Sequence, residues 1–159
     1  RRFRSGFVAG GTGATAPSGH INTDPFWPSI DLDDVRGTLR IDSSVTAIRL
    51  ETATIAAAIS VNREFKTWRR TQQAAGYSTL ADVPADKVEE VSEYIHLYLR
   101  AIYAATGAEI SERYRSYDTT NSGHQNAEEL TPSIDELRRD QRWAVRDFLG
   151  LGRTTVELI

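Results

Sequence analysis

Residues 44–76, SVTAIRLETATIAAAISVNREFKTWRRTQQAAG, decide the fold class. The stretch holds no proline, and its first glycine is Gly76. That pattern predicts one long helix over residues 44–75 with Gly76 just past its end. At about 100° per residue, Val45, Ile48, Thr52, Ile55 and Ile59 share one side. Leu50, Ala53, Ala57, Val61, Phe65 and Trp68 share the opposite side. A helix that is apolar on two faces needs cover on both.

A second long helix is predicted after Pro84, with Asp86 and Glu89 spaced as a capping box, and runs to about Tyr117. Val88, Val91, Ile95, Leu99, Ile102 and Ile110 form one stripe on it; Tyr94, Leu97, Ala101, Ala104 and Ala108 form the other. Two shorter helices complete the reading. One spans about 31–39, with Asp31 as N-cap and Asp33 and Asp34 in its first turn. The other opens with Ser133 and Glu136 as a capping box and ends at Gly150, with Ile134, Leu137, Val145 and Phe148 as its core stripe. Residues 118–131 read as a polar loop. The fold class is therefore all-α, a four-helix domain. Two short helices are little cover for two long two-faced ones, so a neighbouring copy and a closed intramolecular bundle both satisfy the pattern. Leu50, Val61, Phe65, Trp68, Tyr94, Leu97 and Trp143 are the candidate subunit or partner contacts. Trp143 sits among Arg139, Arg146, Asp140 and Asp147, either as an interface anchor or as a surface ring covered by Arg139.

The chain's ends differ in kind from this domain (31–149). Residues 1–30 hold five of the eleven glycines and three of the five prolines, and carry +2 of a net charge of −3. Such a segment reads as an extended arm that orders only against a surface, a partner's or its own domain's. Arg1, Arg2, Phe3, Arg4 and Phe7 are its candidate contacts. The chain opens at Arg1 and has no methionine, which suggests that it continues a longer N-terminus. Residues 150–159 form a tail whose last six, Thr154, Thr155, Val156, Glu157, Leu158 and Ile159, favour β structure.

Catalytic and metal chemistry finds few residues to use. Cysteine is absent, which excludes disulfides, thiolate zinc sites and Cys nucleophiles. His20, His96 and His124 are too scattered for ligand spacing. No glycine precedes a lysine, so there is no P-loop, and no Gly-x-Ser-x-Gly elbow occurs. Asp31, Asp33 and Asp34 fail as a calcium loop because Val35 and Arg36 occupy the next ligand and glycine positions. Glu89, Glu90 and Glu93 read as solvated charge. No cofactor and no enzyme activity is expected. Arg63, Lys66, Arg69 and Arg70 beside Trp68 make a small basic patch, the basis of an alternative reading as a small DNA-binding packaging or regulatory protein. No apolar run is long enough to span a membrane, and cytoplasmic folding is the expectation.

Four motifs carry a resemblance. They are Phe26-Trp27-Pro28-Ser29-Ile30-Asp31; Ala75-Gly76-Tyr77-Ser78-Thr79-Leu80-Ala81-Asp82-Val83-Pro84-Ala85-Asp86; Glu112-Arg113-Tyr114-Arg115; and residues 133–145, from Ser133 to Val145. In this order and spacing the chain resembles the GPL family of phage head completion proteins from about Pro25 onward. The resemblance implies a non-enzymatic virion protein at the head–tail neck, assembled in the host cytoplasm. It further implies a connector-adaptor ring, expected to be a dodecamer, between the portal protein and a tail-terminator or neck protein. DNA would pass through its channel without specific binding, and mild negative charge suits that. The C-terminal tail, Arg153 to Ile159, would then add a strand to a portal sheet.

Overall fold

The computed structural model describes residues 19–114 and 132–153. Among them the chain is mostly helical, with two small antiparallel sheets of two strands each. The order is β1 (His20–Ile21), β2 (Ile30–Asp31), α1 (Leu32–Thr38), α2 (Ala47–Glu64), α3 (Lys66–Ala74), a 3₁₀ turn at Leu80–Asp82, β3 (Lys87–Val88), β4 (Val91–Ser92), α4 (Glu93–Tyr114) and α5 (Ile134–Phe148).

Where the local chemistry was strong, the elements start as expected. The Asp31 carboxylate accepts from the backbone N–H of Asp33 at 2.8 Å and of Asp34 at 3.4 Å, capping α1. The Ser133–Glu136 capping box closes in both directions, at 2.8 and 3.2 Å, and starts α5. Gly76 ends α3 with a positive φ of 100° that glycine adopts freely.

Three features differ from the sequence expectation. The long helix over residues 44–75 is two helices, because Phe65 leaves helical geometry at φ −90°, ψ 0°. The ladder nearly survives the break: Arg69 N–H still donates to the Phe65 carbonyl at 2.8 Å. The bend turns the Phe65 ring wholly into the core. Secondly, Asp86 and Glu89 do not cap a helix. Lys87 pairs with Ser92 and Val88 with Val91, so Glu89 and Glu90 become the two-residue loop of a hairpin, and α4 starts at Glu93. Both loop residues have positive φ, 50° and 61°, as a tight hairpin turn demands. The chain thus has five α-helices among the described residues rather than four.

Thirdly, the core takes in residues that the sequence reading placed in the 1–30 arm. β1 pairs with β2, in register Ile21 to Ile30, and the loop between them folds inward. Asp24 holds that loop by accepting from Phe26 N–H at 3.0 Å, and Ile21, Phe26, Trp27 and Ile30 are all buried. Residues 1–18 and 154–159, which include the arm contacts and the β-favouring tail, lie outside the described residues.

α4 is the central element, with α2 on one side and α5 on another. Alanines permit the close approach: Ala53, Ala57 and Ala58 on α2, and Ala101, Ala104, Ala105 and Ala108 on α4, are all buried. At Gly107 the spacing is tighter still. A Cβ there would lie 3.1 Å from Leu39 Cδ2 and 3.2 Å from Leu137 Cδ2. Arg138 adds a polar clamp between α5 and α4, bonding Glu112 at 3.0 and 2.8 Å and Glu109 at 3.3 Å. One end of the bundle is an aromatic cluster of Phe26, Trp27, Phe65, Trp68, Tyr94, Tyr98 and Phe148. Trp27 stacks on Tyr98 with centroids 4.6 Å apart and planes 3° from parallel. Burial pushes the Tyr98 hydroxyl up to about 12, where it stays protonated and donates to Asn62 at 2.9 Å.

Candidate functional site

The two faces of α2 are now distinguishable. Leu50 and Val61, and Phe65 just beyond the helix, are buried in the chain's own core, so they are not open contacts. Trp68 and Tyr94 are half-buried in the aromatic cluster, 5.1 Å from each other and 4.6 and 4.9 Å from Phe148. Leu97 is half-buried against the same core. The side offered as an interface in the sequence reading therefore points inward, and the opposite side is open. Ile48, Ile55 and Ile59 are 75%, 42% and 56% exposed.

That open side is ordered in sequence. Ile48, Thr52, Ile55 and Ile59 follow one another at steps of four, three and four residues, the spacing of a helix seam that packs against another helix, while Val45, placed on the same stripe by the sequence, precedes α2 and packs against the core. Thr52 returns its hydroxyl to the Ile48 carbonyl at 2.9 Å, which leaves its methyl group free to act with the isoleucines. Arg49, Glu51 and Arg63, all exposed, flank the seam. A groove runs beside it, lined by Ile55, Ala58 and Ile59 of α2 and by residues 20–23 of the β1 segment. Isolated exposed isoleucines need no explanation, but three on one stripe form a patch that does.

The second candidate lies at the end of α5. Trp143 is covered by two cations of its own chain, the guanidinium groups of Arg139 and Arg153, each 4.7 Å from the ring centroid. Arg153 also grips Asp147 through two bonds of 3.2 and 2.6 Å, and this pair holds the Asp147 carboxyl below the usual aspartate range. One residue earlier, Arg146 Nε donates to the Gly152 carbonyl at 2.7 Å. Residues 150–153 are thus pinned back on α5, and the root of the C-terminal tail has a fixed position and direction. Sequence reasoning placed Arg153 in the tail. It did not foresee that Arg153 is the residue that fastens the tail.

The basic patch is diluted by the fold. Arg69 is tied to Asp24 at 2.9 Å, and the Trp68 ring packs on Phe148 and Tyr94. Arg63, Lys66 and Arg70 remain exposed. His20 lies 3.5 Å from Asp31, and His96 Nε2 meets the Val88 carbonyl at 2.8 Å. His124 lies outside the described residues. Among the described residues no group of His, Asp and Glu could hold a metal ion, and no helix is long and apolar enough to cross a membrane.

Comparison with known proteins places the chain in a family. The sequence model of the family "Phage head completion protein (GPL)" matches residues 21–159. The head completion/stabilization protein of Escherichia phage P2 is 38% identical over 134 residues, which cover 84% of this chain and 79% of that protein. No solved structure matches the chain. The family match opens at Ile21, the same residue at which the described core begins. The chain belongs to the phage head completion protein (GPL) family.

Proposed function

We propose that this chain is a structural virion protein that completes the phage head after DNA packaging. In this reading, copies of it form an adaptor ring between the portal and the tail or neck proteins, and the ring extends the DNA channel. Twelve copies is the number that the family resemblance implies. The protein acts by contact and not by catalysis.

The observation that carries the reading is the open seam on α2. Three isoleucines in contact with water at helix-seam spacing are costly to leave uncovered, at roughly 25 cal/mol per Å² of apolar area. A ring supplies the cover, since each subunit meets a neighbour on both sides. The tail fits the same reading. Its root, residues 150–153, is clamped by Arg153 and Arg146, and a strand added to a portal sheet would satisfy the backbone groups of Thr154 to Ile159. The net charge of −3 lets DNA slide without adhering.

Replacing Ile55 and Ile59 together by Glu tests it. Both side chains lie on the surface, so the double variant should keep its helical circular dichroism and melt within a few degrees of the parent. It should no longer join portal-bearing heads in an assembly extract, and infectivity should fall with it. Normal incorporation of the variant would refute the reading.

A further inference from the structure

The last turn of α5 is closed by main-chain bonds. Gly150 N–H donates to the Asp147 carbonyl at 3.2 Å and Leu151 N–H to the Arg146 carbonyl at 2.8 Å, with Gly150 at a φ of 69°. These are the paired bonds of a glycine C-cap. Beyond Leu151 the bonds change in kind. Among the described residues, those that hold Gly152 and Arg153 are made by side chains. Arg146 Nε reaches the Gly152 carbonyl at 2.7 Å, and Arg153 bonds Asp147 at 3.2 and 2.6 Å and lies over the Trp143 ring at 4.7 Å. The change falls at a glycine, the residue with the widest backbone freedom.

Both partners of Arg153 have a second cation already in place. Arg100 Nη1, on α4, stands 3.8 Å from Asp147 Oδ2, the oxygen that Arg153 Nη2 holds at 2.6 Å. Arg139 lies over Trp143 at the same 4.7 Å as Arg153. Much of the cost of breaking an ion pair lies in the partner left without a counter-charge. Here the departure of Arg153 leaves neither the Asp147 carboxylate nor the Trp143 ring without a cation. The Arg153 side chain is also 47% exposed, so water and salt weaken the contacts that it makes.

We infer that Gly152 and Arg153 are a releasable strap, which holds the start of the C-terminal tail on α5 in the free subunit and pivots at Gly152 when a partner takes it up. Arg100 then pairs with Asp147, Arg139 keeps Trp143 covered, and the α5 cap through Leu151 stays closed. The strap is a property of residues 143–153 together with Arg100 and needs no partner to be observed. Its use in assembly rests on the reading above, in which the tail adds a strand to the portal.

Three measurements on the full-length protein test it. In urea unfolding, Arg153→Ala and Arg100→Ala should each change the unfolding equilibrium constant by less than about twofold. Together they should change it at least about threefold more than the product of the two, because only the pair leaves Asp147 without a cation. Independent effects would overturn the stand-in role of Arg100. In nitrogen-15 relaxation, the Gly152 amide should be as ordered as α5 in the parent and as mobile as free chain in Arg153→Ala, while the Leu151 amide stays ordered in both. A Gly152 already mobile in the parent, or a Leu151 that frays with it, would overturn the strap. Arg153→Ala should also co-sediment with portal rings at least as well as the parent. Weaker sedimentation, with none for a chain lacking residues 154–159, would overturn the release and leave the tail reading intact. Parent-like sedimentation of that shortened chain would refute the tail reading instead, and the first two measurements would still decide the strap.

Discussion

Replacing Phe148 by alanine should be the most damaging single change near the C-terminal end of the fold. Its ring, buried on the last turn of α5, lies 4.1 Å from Phe65, 4.6 Å from Trp68, 4.9 Å from Tyr94 and 6.3 Å from Trp27, centroid to centroid. Those four rings belong to the β1–β2 loop, the α2–α3 bend, α3 and the start of α4, so one side chain joins most of the molecule. A buried Phe→Ala change costs about 3–5 kcal/mol in transfer and cavity terms. Aromatic pairing adds about 0.5–1.5 kcal/mol per well-placed pair. Set against a total stability of roughly 5–15 kcal/mol, the variant should be barely folded at 37 °C, itself about the upper working range of a mesophile. Urea unfolding followed by tryptophan fluorescence reads this directly, because Trp27 and Trp68 sit in the cluster. The midpoint should fall steeply with little change in the slope. Phe148→Leu, which keeps most of the volume, should lose about 1–2 kcal/mol. A loss below about 1 kcal/mol for Phe148→Ala would refute the view that this cluster ties the N-terminal hairpin to α5.

Three further outcomes follow from the same structure. Glu90→Gly should stabilise the protein by about 0.5–1 kcal/mol, since Glu90 holds φ at 61° in a two-residue loop; a lower melting temperature would contradict that geometry. The acid branch of the stability curve should come partly from Glu136 and Asp147. The Ser133 backbone N–H holds the first below the ordinary glutamate range, and Arg153 lowers the second. Depressed carboxyls add stability that is complete above their unfolded pKa, about 4, and is lost as the pH falls through the folded value. Thermal stability should therefore be level from pH 7 to about 5 and fall below about 4, and Glu136→Gln, which keeps an acceptor in the capping box, should fall less. Identical acid branches for the parent and Glu136→Gln would count against the capping assignment. Finally, deleting residues 154–159 should abolish co-sedimentation with portal rings while leaving the melting temperature within about 2 °C; unchanged co-sedimentation would sink the strand-addition role of the tail.

The helices of this chain were legible where a side chain closes on its own backbone. Asp31 and the Ser133–Glu136 box act within three residues, so spacing alone exposes them. The hairpin at Glu89–Glu90 was not, because its positive φ angles are imposed by the strand pairing and a Glu-Glu pair carries no turn signal. Nor was the bend at Phe65, since only the tertiary pull of Trp27 and Phe148 on that ring explains it. The N-terminal hairpin was hidden by its composition: Pro25 and Pro28 flank two of the core's largest side chains, and glycine and proline around them read as disorder. The open face of α2 was the costliest ambiguity. Both faces are apolar, and periodicity cannot rank them. The discriminating signal was size, because Ala53, Ala57 and Ala58 match the alanines of α4 and permit a close approach that Ile48, Ile55 and Ile59 would block.

The central claim is that copies of this chain assemble on the portal vertex. Cryo-electron microscopy of purified portal rings incubated with the full-length protein tests it most directly. A continuous layer of helical density is expected beneath the portal, with neighbouring subunits in contact through the α2 seam and that layer missing for the Ile55→Glu, Ile59→Glu variant. Bare portal rings at saturating protein, or isolated subunits bound without touching one another, would contradict it.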